Sequence, residues 1–199
     1  MRRFPCLLFL GVSLFSVSLF FSSACRGRQQ ESRQLEYTPT ATIKDLMDSI
    51  VDPSADVVWN AVATVVHEGG NEERVPHTPE EWTDVRRGAI RLVEASNLLL
   101  MPGRHVARPG EKSEVPGVEL EPEEMEALVN KDREAWTRHA KALHEVSLTM
   151  LQAIDAKDGK KLFDVGEELD TVCENCHVQY WYPNEKIPEL PSELGAKGR

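Results

Sequence analysis

Cys173, Cys176 and His177 stand in the order Cys-Glu-Asn-Cys-His. Two thiols at this spacing can add across the two vinyl groups of a porphyrin, while the imidazole beside the second sulfur presents a neutral nitrogen to the iron. At 3.6 residues per turn Cys173 lies one helical turn from both Cys176 and His177, so all three side chains leave one face of a helix towards one flat cofactor. The pattern therefore predicts one covalently attached haem c per chain.

Two other chemistries use parts of the same pattern. A four-coordinate zinc site needs a second Cys or His pair at ligand spacing, and none follows. A thioredoxin-like dithiol belongs at the start of a helix in a βαβ unit, whereas here the pair falls late in a long helical pattern. A haem-free thiol oxidoreductase using Cys173 and Cys176 stays open on the sequence alone.

The N-terminus speaks to compartment. Met1-Arg2-Arg3, an apolar run from Phe4 to Phe21 and then Ser22-Ser23-Ala24-Cys25 have the three parts of a secretory signal, expected over residues 1–24. Export and covalent haem attachment go together, because bacteria attach haem outside the cytoplasmic membrane. Cys6 lies in the apolar run and Cys25 at its end, which leaves only Cys173 and Cys176 for the folded body. The residues around Cys25 are similar to a bacterial lipobox, with Ser22 where leucine is usual, and they predict a periplasmic protein lipid-anchored through Cys25. Ordinary signal cleavage and an uncleaved anchor remain alternatives.

Removal of the signal leaves about 175 residues, a length suited to one domain. Arg2 and Arg3 go with it, so the 23 basic residues become 21 against 33 acidic ones, a net charge of −12. Such a surface excludes nucleic acid as a natural partner and suits a basic redox protein of unidentified kind. Contact with the membrane is expected only through the N-terminal anchor.

The elements that must position the motif read as helices throughout. Residues 25–40 are a polar tether. Thr42 and Asp45 have capping-box spacing, and Ile43, Leu46, Met47 and Ile50 follow on one stripe. Asp52-Pro53 is expected to interrupt this first helix, which resumes through Val58, Trp59, Val62, Val65 and Val66 to Gly69-Gly70. Thr78-Pro79-Glu80-Glu81 opens a second helix ending before Pro102-Gly103. The stretch from Arg104 to Leu120 reads as a long exposed crossover that spans the bundle, with shielding of a haem edge as the alternative. Pro122 opens a third helix of about nine turns, and Asp158-Gly159 breaks it before a fourth that carries the haem motif and ends at Pro183. No strand is expected. Residues 184–199 read as a disordered tail.

Four amphipathic helices of this kind predict an all-α domain over residues 41–183, an antiparallel four-helix bundle with haem on its last helix. A haem motif on the last helix, rather than near the N-terminus, resembles the cytochrome c prime family, including its six-coordinate relatives with a methionine ligand. The resemblance covers roughly Thr42 to Tyr182. It implies thioether links at Cys173 and Cys176 and a proximal ligand at His177. Tyr180 stands where that family commonly has an aromatic residue, and Trp181 where it often has arginine. Members often pair through their first two helices, so a homodimer stays open.

By the same resemblance the residue facing the distal side of the iron comes from the first helix, which makes Met47 the candidate sixth ligand. With Met47 bound, the iron would have His and Met ligands and suit a one-electron carrier. With it unbound, an apolar distal pocket would suit small neutral gases such as nitric oxide or carbon monoxide. Met101, Met125 and Met150, and the imidazoles of His67, His77, His139 and His144, are expected to serve packing or solvated roles. Trp59 and Trp136 are expected in the core. No phosphate loop, nucleophile elbow or His-Glu-x-x-His pattern is present, so the chain is read as an electron-transfer protein and not an enzyme.

Overall fold

Helix starts in this chain are written by capping side chains. The Oγ1 of Thr42 accepts from the N–H of Asp45 at 3.0 Å, and the Asp45 carboxylate accepts from the N–H of Thr42 at 3.0 Å. This reciprocal pair satisfies two donors that a helix start otherwise leaves bare. It opens α1, Ile43–Leu46. The computed structural model describes residues 37–183; the expected signal, Cys25, most of the tether and the tail 184–199 lie outside the described residues.

The expected interruption at Asp52-Pro53 takes the form of a change of helix type rather than a break, with Pro53 in the first turn of the continuation as the sequence predicts. The chain passes from α1 through a π-helical turn, Met47–Val51, directly into α2, Asp52–Ala61. In that turn the Asp52 N–H reaches back to the Met47 carbonyl, five residues earlier. Proline disrupts an α-helix by lacking an N–H and by crowding the carbonyl four residues back. A wider turn just ahead of Pro53 relieves both demands.

The helical continuation expected through Val65 and Val66 is also corrected. Val62 is extended (φ −131°, ψ 115°), and residues beyond it form an antiparallel hairpin of β1, Ala63–His67, and β2, Gly70–Arg74. Ala63 pairs with Arg74 and His67 with Gly70, so only Glu68 and Gly69 make the turn. Gly70 has φ +134°, a conformation that side chains resist. The β-branched run Thr64-Val65-Val66 fits this pleat better than a helix.

α3, Pro79–Leu99, starts as the sequence predicts, with Thr78 and Glu81 forming a second capping box and Pro79 at the first helical position. Thr78→Ala should cost about 1 kcal/mol of stability, visible as a lower urea midpoint at unchanged slope; an unchanged midpoint would show the cap contributes nothing. The expected nine-turn third helix is in fact two: α4, Pro122–Lys131, and α5, Arg133–Asp155. Asp132 separates them at φ −135°, ψ 75°, and its carboxylate accepts from the N–H of Ala135 at 2.8 Å. A side chain that caps the second helix ends the first. Asp158 caps α6, Gly159–Tyr180, in the same way through the N–H of Lys161 at 2.9 Å.

The chain is thus mostly helical with one small two-stranded sheet. α3 packs against α2 and α5, α5 against α6, and α2 against α6, while α4 rests on α5 and α6. Leu92, Met150, Leu162, Val165 and Leu169 are among the fully buried side chains of the shared core. Two indoles tie the helices together: Trp59 Nε1 donates to the Gly166 carbonyl at 3.0 Å, linking α2 to α6, and Trp136 Nε1 donates to the Leu99 carbonyl at 3.0 Å, linking α5 to the end of α3. Gly88 allows α2 and α3 to meet closely, since a Cβ there would lie 3.2 Å from the Ser54 carbonyl oxygen. Among the described residues no helix is long and apolar enough to cross a membrane.

Candidate cofactor-binding cavity

The last turns of α6 hold Cys173, Cys176 and His177 on the face turned towards the rest of the molecule, and all three line a cavity of about 360 Å3. That volume falls in the range of roughly 300–1,000 Å3 usual for small-molecule and cofactor sites. A second, smaller pocket adjoins it, and Met47, Val51, Trp136, Cys173, Cys176 and His177 belong to the walls of both. The structure therefore brings Met47 of the π turn to the same space as the three motif residues.

Met47 reaches the cavity because of the turn it opens. α1 alone is a single turn, held at its start by the Thr42 cap, and the π turn gives residues 47–51 a register that an uninterrupted α-helix would not. Of the rival methionines, Met125 of α4 also lines the larger cavity, a placement the sequence gave no means to see. Met150 is fully buried in the core, and Met101 lies at the end of α3 with its sulfur against the Arg104 guanidinium at 3.1 Å.

The six histidines separate by what their rings already do. His67 faces Glu72 at 3.4 Å, His105 faces Glu126 at 2.9 Å, His139 Nε2 bonds Gln179 at 2.8 Å and His144 Nδ1 bonds Ser96 at 2.9 Å. His77 is exposed at the start of α3. The ring of His177, by contrast, makes no hydrogen bond among the described residues. Its contacts are edge-on with Trp181 at 5.1 Å and with Tyr182 at 6.0 Å. Burial holds its pKa below the ordinary 6.5, with Glu174 and Asp52 acting the other way, which favours the neutral ring.

Burial acts on the sulfurs as well. The Cys173 thiol is pushed up to about 11, first by desolvation and then by Asp170, Asp52 and Glu174, and the Cys176 thiol to about 12 by desolvation and its neighbour Cys173. A working dithiol needs the opposite, a cationic setting that lowers the thiol pKa. A site that spends its sulfurs on carbon bonds has no such requirement.

These shifts give the thiol form of the chain a bounded pH range. The unfolded state takes up a proton on His177 below 6.5 that the folded state refuses, so stability falls as pH drops past that value. The folded state keeps thiol protons that the unfolded chain releases above 9, so stability also falls as pH rises from there towards 11. Thermal melts of the free-thiol chain should peak between these limits. With both sulfurs capped as thioethers the alkaline decline attributable to them should vanish; an unchanged decline would locate its cause elsewhere.

The long crossover is not a bystander. Val106, Ala107, Lys112, Ser113, Glu114 and Glu119 all line the larger cavity, and Val106 is buried. The segment is fastened to α1 by the N–H groups of Ile43 and Lys44, which donate to the His105 and Val106 carbonyls at 2.9 and 3.0 Å. It is fastened to the end of α6 by the Leu120 N–H, which donates to the Trp181 carbonyl at 2.8 Å. An Arg108–Asp45 ion pair adds a further tie. The expected exposed spacer is therefore a wall of the site.

Two buried hydroxyls that line the cavity, Ser113 Oγ on the crossover and Tyr180 on α6, have no hydrogen-bond partner among the described residues. Unsatisfied buried hydroxyls are uncommon because each forfeits its bond to water. No protein-family model, curated protein or solved structure matches the chain.

Proposed function

We propose that this chain is a periplasmic c-type cytochrome, a one-electron carrier built as a four-helix bundle of the cytochrome c prime kind. Cys173 and Cys176 would form the two thioether links, His177 would be the proximal ligand and Met47 the distal one. One observation carries the reading: Met47 and the three motif residues, from opposite ends of the described chain, wall a single cavity of cofactor size.

Bound there, haem would supply an iron that cycles between ferric and ferrous states. The residues of the chain do the rest. His177 offers a neutral imidazole already freed of hydrogen bonds, and Met47 offers a neutral thioether; such a pair favours the reduced state and raises the potential. Trp136 and Val51 give the cavity an apolar lining that keeps water from the metal position. Both indole tethers hold α2, α3, α5 and α6 in fixed relation, so little movement accompanies a change of charge. The exposed Trp181 beside His177 marks the surface where a partner would come nearest to the ring.

A second reading keeps haem but leaves the sixth position open, giving a module that binds nitric oxide or carbon monoxide. The ferrous absorption spectrum separates the two. Protein produced in a haem-attaching host should show sharp α and β bands in the six-coordinate case, and a broad high-spin spectrum would favour the gas-binding module. Mass equal to the bare polypeptide would remove both.

A further inference from the structure

The cavity has charged walls that the motif does not explain. Its charged walls are the carboxylates of Asp48, Asp52, Glu114 and Glu119 and the ammonium groups of Lys44 and Lys112. Lys44 stands on α1 near Asp48, and Lys112 stands on the crossover, which also supplies Glu114 and Glu119. Lys44 is bonded to Glu114 of the crossover at 2.7 Å, and Lys112 lies in the crossover itself with only loose partners, Glu121 at 3.7 Å and Glu123 at 3.9 Å. Asp52, by contrast, sits close enough to Cys173 and His177 to influence both. The unpaired Ser113 Oγ adjoins Lys112 in sequence and lines the same wall.

Haem carries its two vinyl groups on one half of the ring and its two carboxylate arms on the other. Fastening the vinyl half at Cys173 and Cys176 leaves the anionic half to be received by the remaining walls. Of the two lining cations, Lys44 is already engaged closely by Glu114, whereas Lys112 has only loose partners and is followed in the chain by the unpaired hydroxyl of Ser113.

We propose that the crossover from Arg104 to Leu120 is the receptor for the carboxylate arms of the cofactor, with Ser113 Oγ donating a hydrogen bond and Lys112 Nζ supplying the counter-charge. This rests on the haem reading above and adds to it the orientation of the ring and a role for a segment longer than a mere connection requires. Lys112 exchanges its two loose carboxylate partners for one close one, and Ser113 gains the acceptor it lacks. Lys44 stays engaged with Glu114 and holds the crossover in place.

The test uses the mature protein with haem enriched in 13C at its carboxyl carbons. Mass spectrometry first establishes that haem is attached to the parent, to Ser113→Ala and to Lys112→Gln. Redox-difference infrared spectra then read the labelled carboxylate stretches, with Lys160→Gln, far along α6, as a control. A shift of one labelled band in Ser113→Ala or Lys112→Gln, and none in Lys160→Gln, is the expected result. Identical labelled bands in all four proteins would overturn the assignment while leaving the cytochrome reading intact. A parent that carries no haem would overturn both, and the mass spectrum alone would show it.

Discussion

Met47→Ala should convert a ferrous protein that resists carbon monoxide into one that binds it readily. In the parent, the thioether of Met47 would occupy the sixth position and an incoming gas would have to displace it. Alanine leaves no donor and opens space beside the Val51 and Trp136 walls. Carbon monoxide should then shift the Soret band at stoichiometric gas in the variant, while the parent should keep its spectrum unchanged. The reduction potential should fall as well, since the soft sulfur that favours the ferrous state is gone. Met125→Ala is the control that the structure demands, because Met125 is the other methionine lining the larger cavity. It should leave the parent spectrum in place. A parent that takes up carbon monoxide as fully as Met47→Ala would dismiss the distal bond and favour the gas-binding module.

The second large effect concerns attachment. Replacing Cys173 and Cys176 together by serine should yield protein whose mass is that of the polypeptide alone and whose haem, if any, is extracted by acidified organic solvent. Either single replacement should leave one thioether, and the residual vinyl group should move the reduced α band to longer wavelength. Serine cannot substitute, since its hydroxyl does not add to a vinyl group as a thiol does. The fold need not collapse, because Cys173 and Cys176 pack only at the margin of a core whose fully buried members include Leu92, Met150 and Leu169. Covalently bound haem persisting in the double variant would refute the assignment of these two residues.

Much of this arrangement was legible in the sequence because it is written locally. The Thr78-Pro79-Glu80-Glu81 start of α3 and the break at Asp158-Gly159 before α6 each obey rules that span only a few residues. The spacing of Cys173, Cys176 and His177 is of the same kind. What escaped was either ambiguous locally or settled at a distance. Thr64-Val65-Val66 is too short to choose between a helical stripe and a strand, and only its β-branching and the Gly69-Gly70 turn favoured the hairpin. Asp132 looked like one more polar residue in a long helix, yet its side chain ends one helix and begins the next. The crossover showed no period at all, and its place in the cavity follows from bonds to Ile43, Lys44 and Trp181, residues far from it in the chain. The Met47 candidate came from resemblance rather than pattern, since a methionine on a stripe looks the same whether it fills a core or lines a cavity.

The turn at residues 47–51 also carries one residue more than an α-helical path between Leu46 and Asp52 would need. Helices tolerate the loss of such an extra residue, because the ladder closes to its ordinary form on either side. Excision of Ser49 would then spare the helix and leave the residues before it facing much as they do, because a π turn spends one more residue on nearly the same rotation. The Thr42 cap and the two bonds to the crossover would keep their direction, and only the side chains inside the turn would be redistributed. This stretch of the gene can therefore lose a codon without turning the chain's first helix away from the cavity.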